Sequence, residues 1–94
     1  MKYNFFNISV EVEDIKLQII SKQFEDTLNE WDVLGNYCRV YTRYLMLYGV
    51  IQALFSVLTT MEVLTKEQSE QLNEILNSKH NIYYQEEDIE EETE

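Results

Sequence analysis

Residues Tyr37–Leu64 leave this chain the fewest choices. Tyr37, Val40, Tyr44, Leu47, Ile51, Leu54, Leu58 and Met61 recur at spacings of three and four, an unbroken helical stripe. The opposite side carries a second stripe of small residues, Gly49, Ala53, Ser56 and Thr60, which predicts a helix contacted on two sides. A helix apolar nearly all round is either the strut of a compact domain or a membrane span. Between Arg43 and Glu62 lie eighteen uncharged residues, about 27 Å of helix and just long enough to consider a span. Tyr44, Tyr48, Gln52, Ser56, Thr59 and Thr60 make that segment too polar for a typical span, and the flanking segments are amphipathic. The buried strut of a soluble domain is the reading to expect. A single-span, holin-like membrane protein stands third among the functional readings.

The flanks must cover that strut. Ile8, Val10 and Val12 alternate with polar residues, as do Ile15, Leu17 and Ile19. With Glu13-Asp14 as the turn, this predicts a β-hairpin with all six on one face. Phe5, Ile8, Val12, Ile15 and Ile19 also fit a helical stripe, but the β-branched content favours strands. A helix should open at the N-cap Ser21, bury Phe24, Leu28 and Trp31, and stop at Gly35-Asn36. Thr65 and Gln68 have capping-box spacing for a third helix. That helix should bury Leu72, Ile75 and Leu76 and end near Asn77-Ser78, with Ile82, Tyr83 and Tyr84 docking back as a short extended segment. The expected fold is α+β, an N-terminal β-hairpin packed on three helices with a long central helix. An all-α helical bundle is the fallback. Residues 1–85 would form a single compact domain, and 86–94 an acidic, mobile C-terminal tail.

Catalytic chemistry finds no constellation. Cys38 and His80 are each the only residue of their type, and His80 is expected as a solvated helix cap. No glycine-rich loop cradles a phosphate, and no ligand spacing suggests a metal. No cofactor and no enzymatic activity are expected. A lone cysteine permits no internal disulfide, and no signal-peptide pattern opens the chain, so a cytoplasmic location is expected.

Charge is the remaining signal. The net charge is −11, which disfavours direct binding to nucleic acid and attracts basic protein surfaces. Seven of the eighteen acids lie in the last nine residues, leaving eleven acids against seven bases in the body. Glu67, Glu70 and Glu74 form a row on the third helix, and Glu25, Asp26, Glu30 and Asp32 mark the outer face of the first. Such rows can imitate a phosphate backbone and occupy a basic groove. In size, charge and character the chain resembles small acidic phage-borne proteins, a mixed group that includes nucleic-acid mimics and anti-CRISPR inhibitors. The resemblance implies an inhibitor that occupies a basic site on a nucleic-acid-binding host protein. The residues expected to face that partner are Glu67, Glu70 and Glu74, the tail acids Glu86, Glu87, Asp88, Glu90, Glu91 and Glu92, and Tyr83 and Tyr84 as aromatic anchors. The alternative is a structural or regulatory helical homodimer without mimicry, with Gly49, Ala53, Ser56 and Thr60 as its seam.

Overall fold

In the computed structural model, residues 1–37 and 41–93 are described, with the backbone alone for 36, 37, 41 and 84–93. Strands β1 (Lys2–Phe5) and β2 (Ile8–Glu11) are followed by helices α1 (Ile15–Tyr37), α2 (Tyr41–Thr60) and α3 (Lys66–Thr93). The α+β architecture is the expected one: an N-terminal antiparallel hairpin against three helices.

The hairpin sits earlier than the alternation suggests. Tyr3 pairs with Val10 and Phe5 with Ile8, and the turn is Phe6-Asn7, not Glu13-Asp14. Phe6 takes a left-handed φ of 58°, which a bulky residue adopts only when the surroundings hold it there. Its ring is half-buried, with the Lys79 ammonium 5.1 Å from the ring centroid. Tyr3, Phe5, Ile8, Val10 and Val12 all turn inward, as strand alternation requires.

Asp14 decides where α1 begins. Its carboxylate accepts the Leu17 N–H at 3.0 Å, an N-cap that satisfies one otherwise unpaired first-turn donor. Glu13-Asp14 therefore ends the extended chain, and Ile15–Ile20 become the first turns of the helix. Ile15 and Ile19 are consequently exposed, at 73% and 66%, and do not share the hairpin's inner face. Ser21, expected as the cap, is fully buried inside α1. Gly35 is not a left-handed stop either, since no glycine has positive φ and the helix runs on to Tyr37.

α2 is the central strut, with Tyr44, Leu47, Ile51 and Leu58 buried and Leu54 half-buried. Tyr37 belongs to α1, and Val40 lies outside the described residues. α2 closes in a Schellman turn: Val63 N–H donates to Leu58 O at 3.0 Å and Glu62 N–H to Thr59 O at 3.2 Å. Glu62 takes the left-handed position, with φ 61°. Met61, expected on the inner stripe, falls in this turn and is 55% exposed.

The capping box of α3 forms as its spacing requires, Gln68 N–H to Thr65 Oγ1 and Thr65 N–H to Gln68 Oε1, each 3.1 Å. The helix passes Asn77-Ser78 without stopping. Both residues are exposed, while Leu72, Leu76, Lys79, His80 and Tyr83 continue one inward stripe at helical spacing. Residues 81–85 are therefore helical, not extended.

α1 and α2 run antiparallel, with Trp31 against Tyr44 and Tyr48, and Phe24 against Phe55. α3 returns along them, His80 and Tyr83 meeting the same aromatic group. The hairpin closes the other end of the core, where the Phe5 and Phe24 rings meet edge to face at 4.8 Å.

Candidate protein-interaction face

The acids divide into two populations. On α1, Lys22 bridges Glu25 and Asp26, Arg43 reaches Glu30, and Lys79 binds Asp32 at 2.9 Å. These carboxylates are largely answered by the chain's own cations, so the outer face of α1 is a poor imitation of a phosphate row. Glu67, Glu70 and Glu74 differ. All three are exposed on α3 and make no ion pair with a cation among the described residues. Leu72 and Leu76, fully buried, pin the opposite side of the helix, so the row is aimed outward by the core. The three advance ~4.5 and ~6 Å along the axis, one charge per ~5 Å against one per ~3.4 Å along a single nucleic-acid strand.

Tyr83 is not an outward anchor. Its ring meets Trp31 edge-on at 5.4 Å and Tyr44 at 5.9 Å, and its hydroxyl donates to Asp32 Oδ1 at 2.6 Å. Gly35 makes room for it, because a Cβ there would clash with the edge of the Tyr83 ring, 2.6 Å from Cζ. Partial burial alone would raise the Asp32 pKa, but hydrogen bonds from Tyr83 and Lys79 outweigh it and hold the carboxyl below its ordinary value. The side chains of Tyr84, Glu86, Glu87, Asp88, Glu90, Glu91 and Glu92 lie outside the described residues, as does Cys38.

His80 is no solvated cap. It stacks on Tyr48 at 4.2 Å and on Tyr44 at 5.8 Å, with Nδ1 2.6 Å from the Tyr44 hydroxyl. Burial lowers its pKa. A depressed histidine pKa means that the unfolded chain takes up the proton first. The stabilising term is complete above the ordinary value of about 6.5 and declines as pH falls from there towards the folded value. Urea midpoints should therefore drop as the pH falls through the ordinary histidine value of about 6.5. His80→Phe, which keeps a ring in the stack, should flatten that drop. An equal drop in the variant would show that His80 is not its source.

Gly49, Ala53, Ser56 and Thr60 are all exposed, and a Cβ built at Gly49 would meet nothing within 4 Å beyond its own stretch of helix. Among the described residues, neither the hairpin nor a neighbouring helix covers this second side of α2. Beside it Met46, Val50 and Val57 are exposed too. Reading along the sequence missed these three, although their spacing with Ala53 is itself helical. An open groove of about 790 Å³ at the α2–α3 turn takes in the C-terminal part of this stripe, with Ser56 and Thr60 lining it beside Phe55, Leu64, Ser69 and Glu70.

Neither a family model, nor a curated protein, nor a solved structure matches this chain. Among the described residues no helix is long and apolar enough to cross a membrane. No group of three or more histidines, cysteines or acids there could hold a metal ion.

Proposed function

We propose that this chain is a non-enzymatic, acidic protein-interaction module of the cytoplasm. Its partner is a basic, nucleic-acid-binding protein, and it inhibits that partner by occupying the site where a phosphate backbone would lie. The observation that supports this reading is the difference between the two acidic faces. Carboxylates on α1 are met by Lys22, Arg43 and Lys79, whereas Glu67, Glu70 and Glu74 are exposed and unanswered among the described residues. A row without internal counterions keeps its full attraction for an external cation, and that attraction is fast and salt-dependent. Charge added by the tail acids would extend the same field along α3.

Immobilised wild-type chain and a Glu67→Lys/Glu70→Lys/Glu74→Lys variant, exposed to the same lysate, test this. The wild type should retain a basic protein at low salt and release it at high salt, and the variant should retain roughly a tenth of it or less. The positions are exposed, so the variant should fold as the parent does. Equal retention by both chains, or retention that ignores salt, would contradict the proposal.

A further inference from the structure

Between Arg43 and Glu62, α2 carries a row of apolar side chains that no other element covers among the described residues. Met46 is 59% exposed, Val50 39%, Val57 40% and Met61 55%, with Ala53 exposed at their centre. Spacings of four, three, four and four keep the first four on one side of the helix, with Met61 just past its end. The row lies away from Ile51 and Leu58, which face the core.

Its order, Met-Val-Ala-Val-Met, reads the same in both directions about Ala53. We propose that this face binds the same face of a second copy, helix antiparallel to helix, with the two-fold axis passing between the levels of Ala53 and Leu54. An isologous interface needs a patch complementary to its own rotated image, and here the rotation sets Met46 on Met61 of the second copy and Val50 on Val57. At the axis the side chains are small. Ala53 and the open Gly49 let the two backbones approach, while the flexible methionines fill the ends.

The charges agree with this orientation. Arg43 and Glu62 bracket an uncharged stretch, and the rotation brings Glu62 of each copy towards Arg43 of the other, whose guanidinium also meets Glu30 of its own chain. Antiparallel pairing therefore joins unlike charges where parallel pairing would join like ones. The stretch between them holds no acid for a basic partner, so this occupant differs from that of the α3 row. The exposed parts of the five side chains amount to on the order of 400 Å² per copy, a large patch for a monomer. It is about half the area per partner of a standard stable interface. The dimer is accordingly modest, forming in the micromolar range or above.

Sedimentation velocity on the full chain across the micromolar range tests the association. Wild type should shift from monomer to dimer, and Val50→Glu/Val57→Glu should weaken association roughly a hundredfold, because it buries four charges per dimer. Both positions are already exposed, so its circular dichroism should match wild type. Orientation is read separately in a Cys38→Ser background. Met46→Cys with Met61→Cys should oxidise to a covalent dimer, and Met46→Cys alone should not. A wild type that stays monomeric throughout, or Met46→Cys alone cross-linking as well as the pair, would overturn the proposal. The charge-reversed α3 variant should dimerise normally, so this inference and the proposed function fail independently.

Discussion

Replacing Trp31 with alanine should remove most of the stability of this domain. Trp31 is fully buried and holds three rings at once, Tyr44 and Tyr48 stacked at 5.6 Å and Tyr83 edge-on at 5.4 Å. It is where α1, α2 and α3 meet, so truncation leaves a cavity that no single neighbour can fill. Large-to-small changes of this kind cost about 3–5 kcal/mol, against a total of about 5–15 kcal/mol for a typical domain. Urea unfolding followed by circular dichroism should show a midpoint far below wild type, or no cooperative transition at all. Trp31→Phe is the informative companion. The Trp31 Nε1 proton is buried with no acceptor among the described residues, so phenylalanine loses volume but also removes an unsatisfied donor. Its cost should stay below about 1.5 kcal/mol. A loss under about 1 kcal/mol for alanine would mean that the three helices are not held together at this residue.

The second large effect concerns Gly35. In an ordinary helix interior, glycine to alanine stabilises by about 1 kcal/mol. Here the new Cβ would sit 2.6 Å from Tyr83 Cζ and closer still to other ring atoms. The ring must swing away, giving up its contacts with Trp31 and Tyr44 and its hydrogen bond to Asp32. An aromatic pair is worth about 0.5–1.5 kcal/mol, and a hydrogen bond to a charged group about 1.5–3 kcal/mol. After the helical gain is subtracted, Gly35→Ala should destabilise by about 1.5–5 kcal/mol. In a Tyr83→Ala background the same substitution should reverse sign and stabilise by up to about 1 kcal/mol. The difference is the coupling energy, which a double-mutant cycle measures directly. Additive effects would show that Tyr83 does not rest on Gly35.

These residues also show why parts of the fold were legible along the chain and others were not. Local chemistry came through. The Thr65–Gln68 box depends on residues three apart, and the inward alternation of Ile8, Val10 and Val12 holds wherever the turn falls. Errors arose where one residue type serves two local roles. Asp14 can sit in a turn or cap a helix, and only the cap gives the Leu17 N–H its acceptor. Phe6 gives no turn signal, because the left-handed conformation it adopts is one that its side chain opposes. Gly35 looked like a helix stop, but what requires glycine there is a ring from a helix some fifty positions later. The end of α3 was misplaced because Asn77 and Ser78 lie on its exposed side, while Lys79, His80 and Tyr83 prolong the buried stripe with stems and rings rather than leucines.

The candidate face divides the same way. That Glu67, Glu70 and Glu74 form a row follows from helical spacing alone. That they are unanswered, while Glu30 and Asp32 find Arg43 and Lys79 from other helices, depends on how the helices pack. The apolar row through Met46, Val50 and Val57 was hidden for another reason. α2 is apolar nearly all round, and a helix of that kind does not show which side its neighbours will leave open.

Competition measures the central claim most directly. With the captured basic protein bound to the immobilised wild-type chain, duplex DNA is added at fixed salt and the protein remaining is followed. If Glu67, Glu70 and Glu74 stand where phosphates would, DNA and this chain exclude each other, and bound protein should fall as DNA rises. A stable ternary complex, with DNA and the acidic chain held together on one protein, would contradict the account.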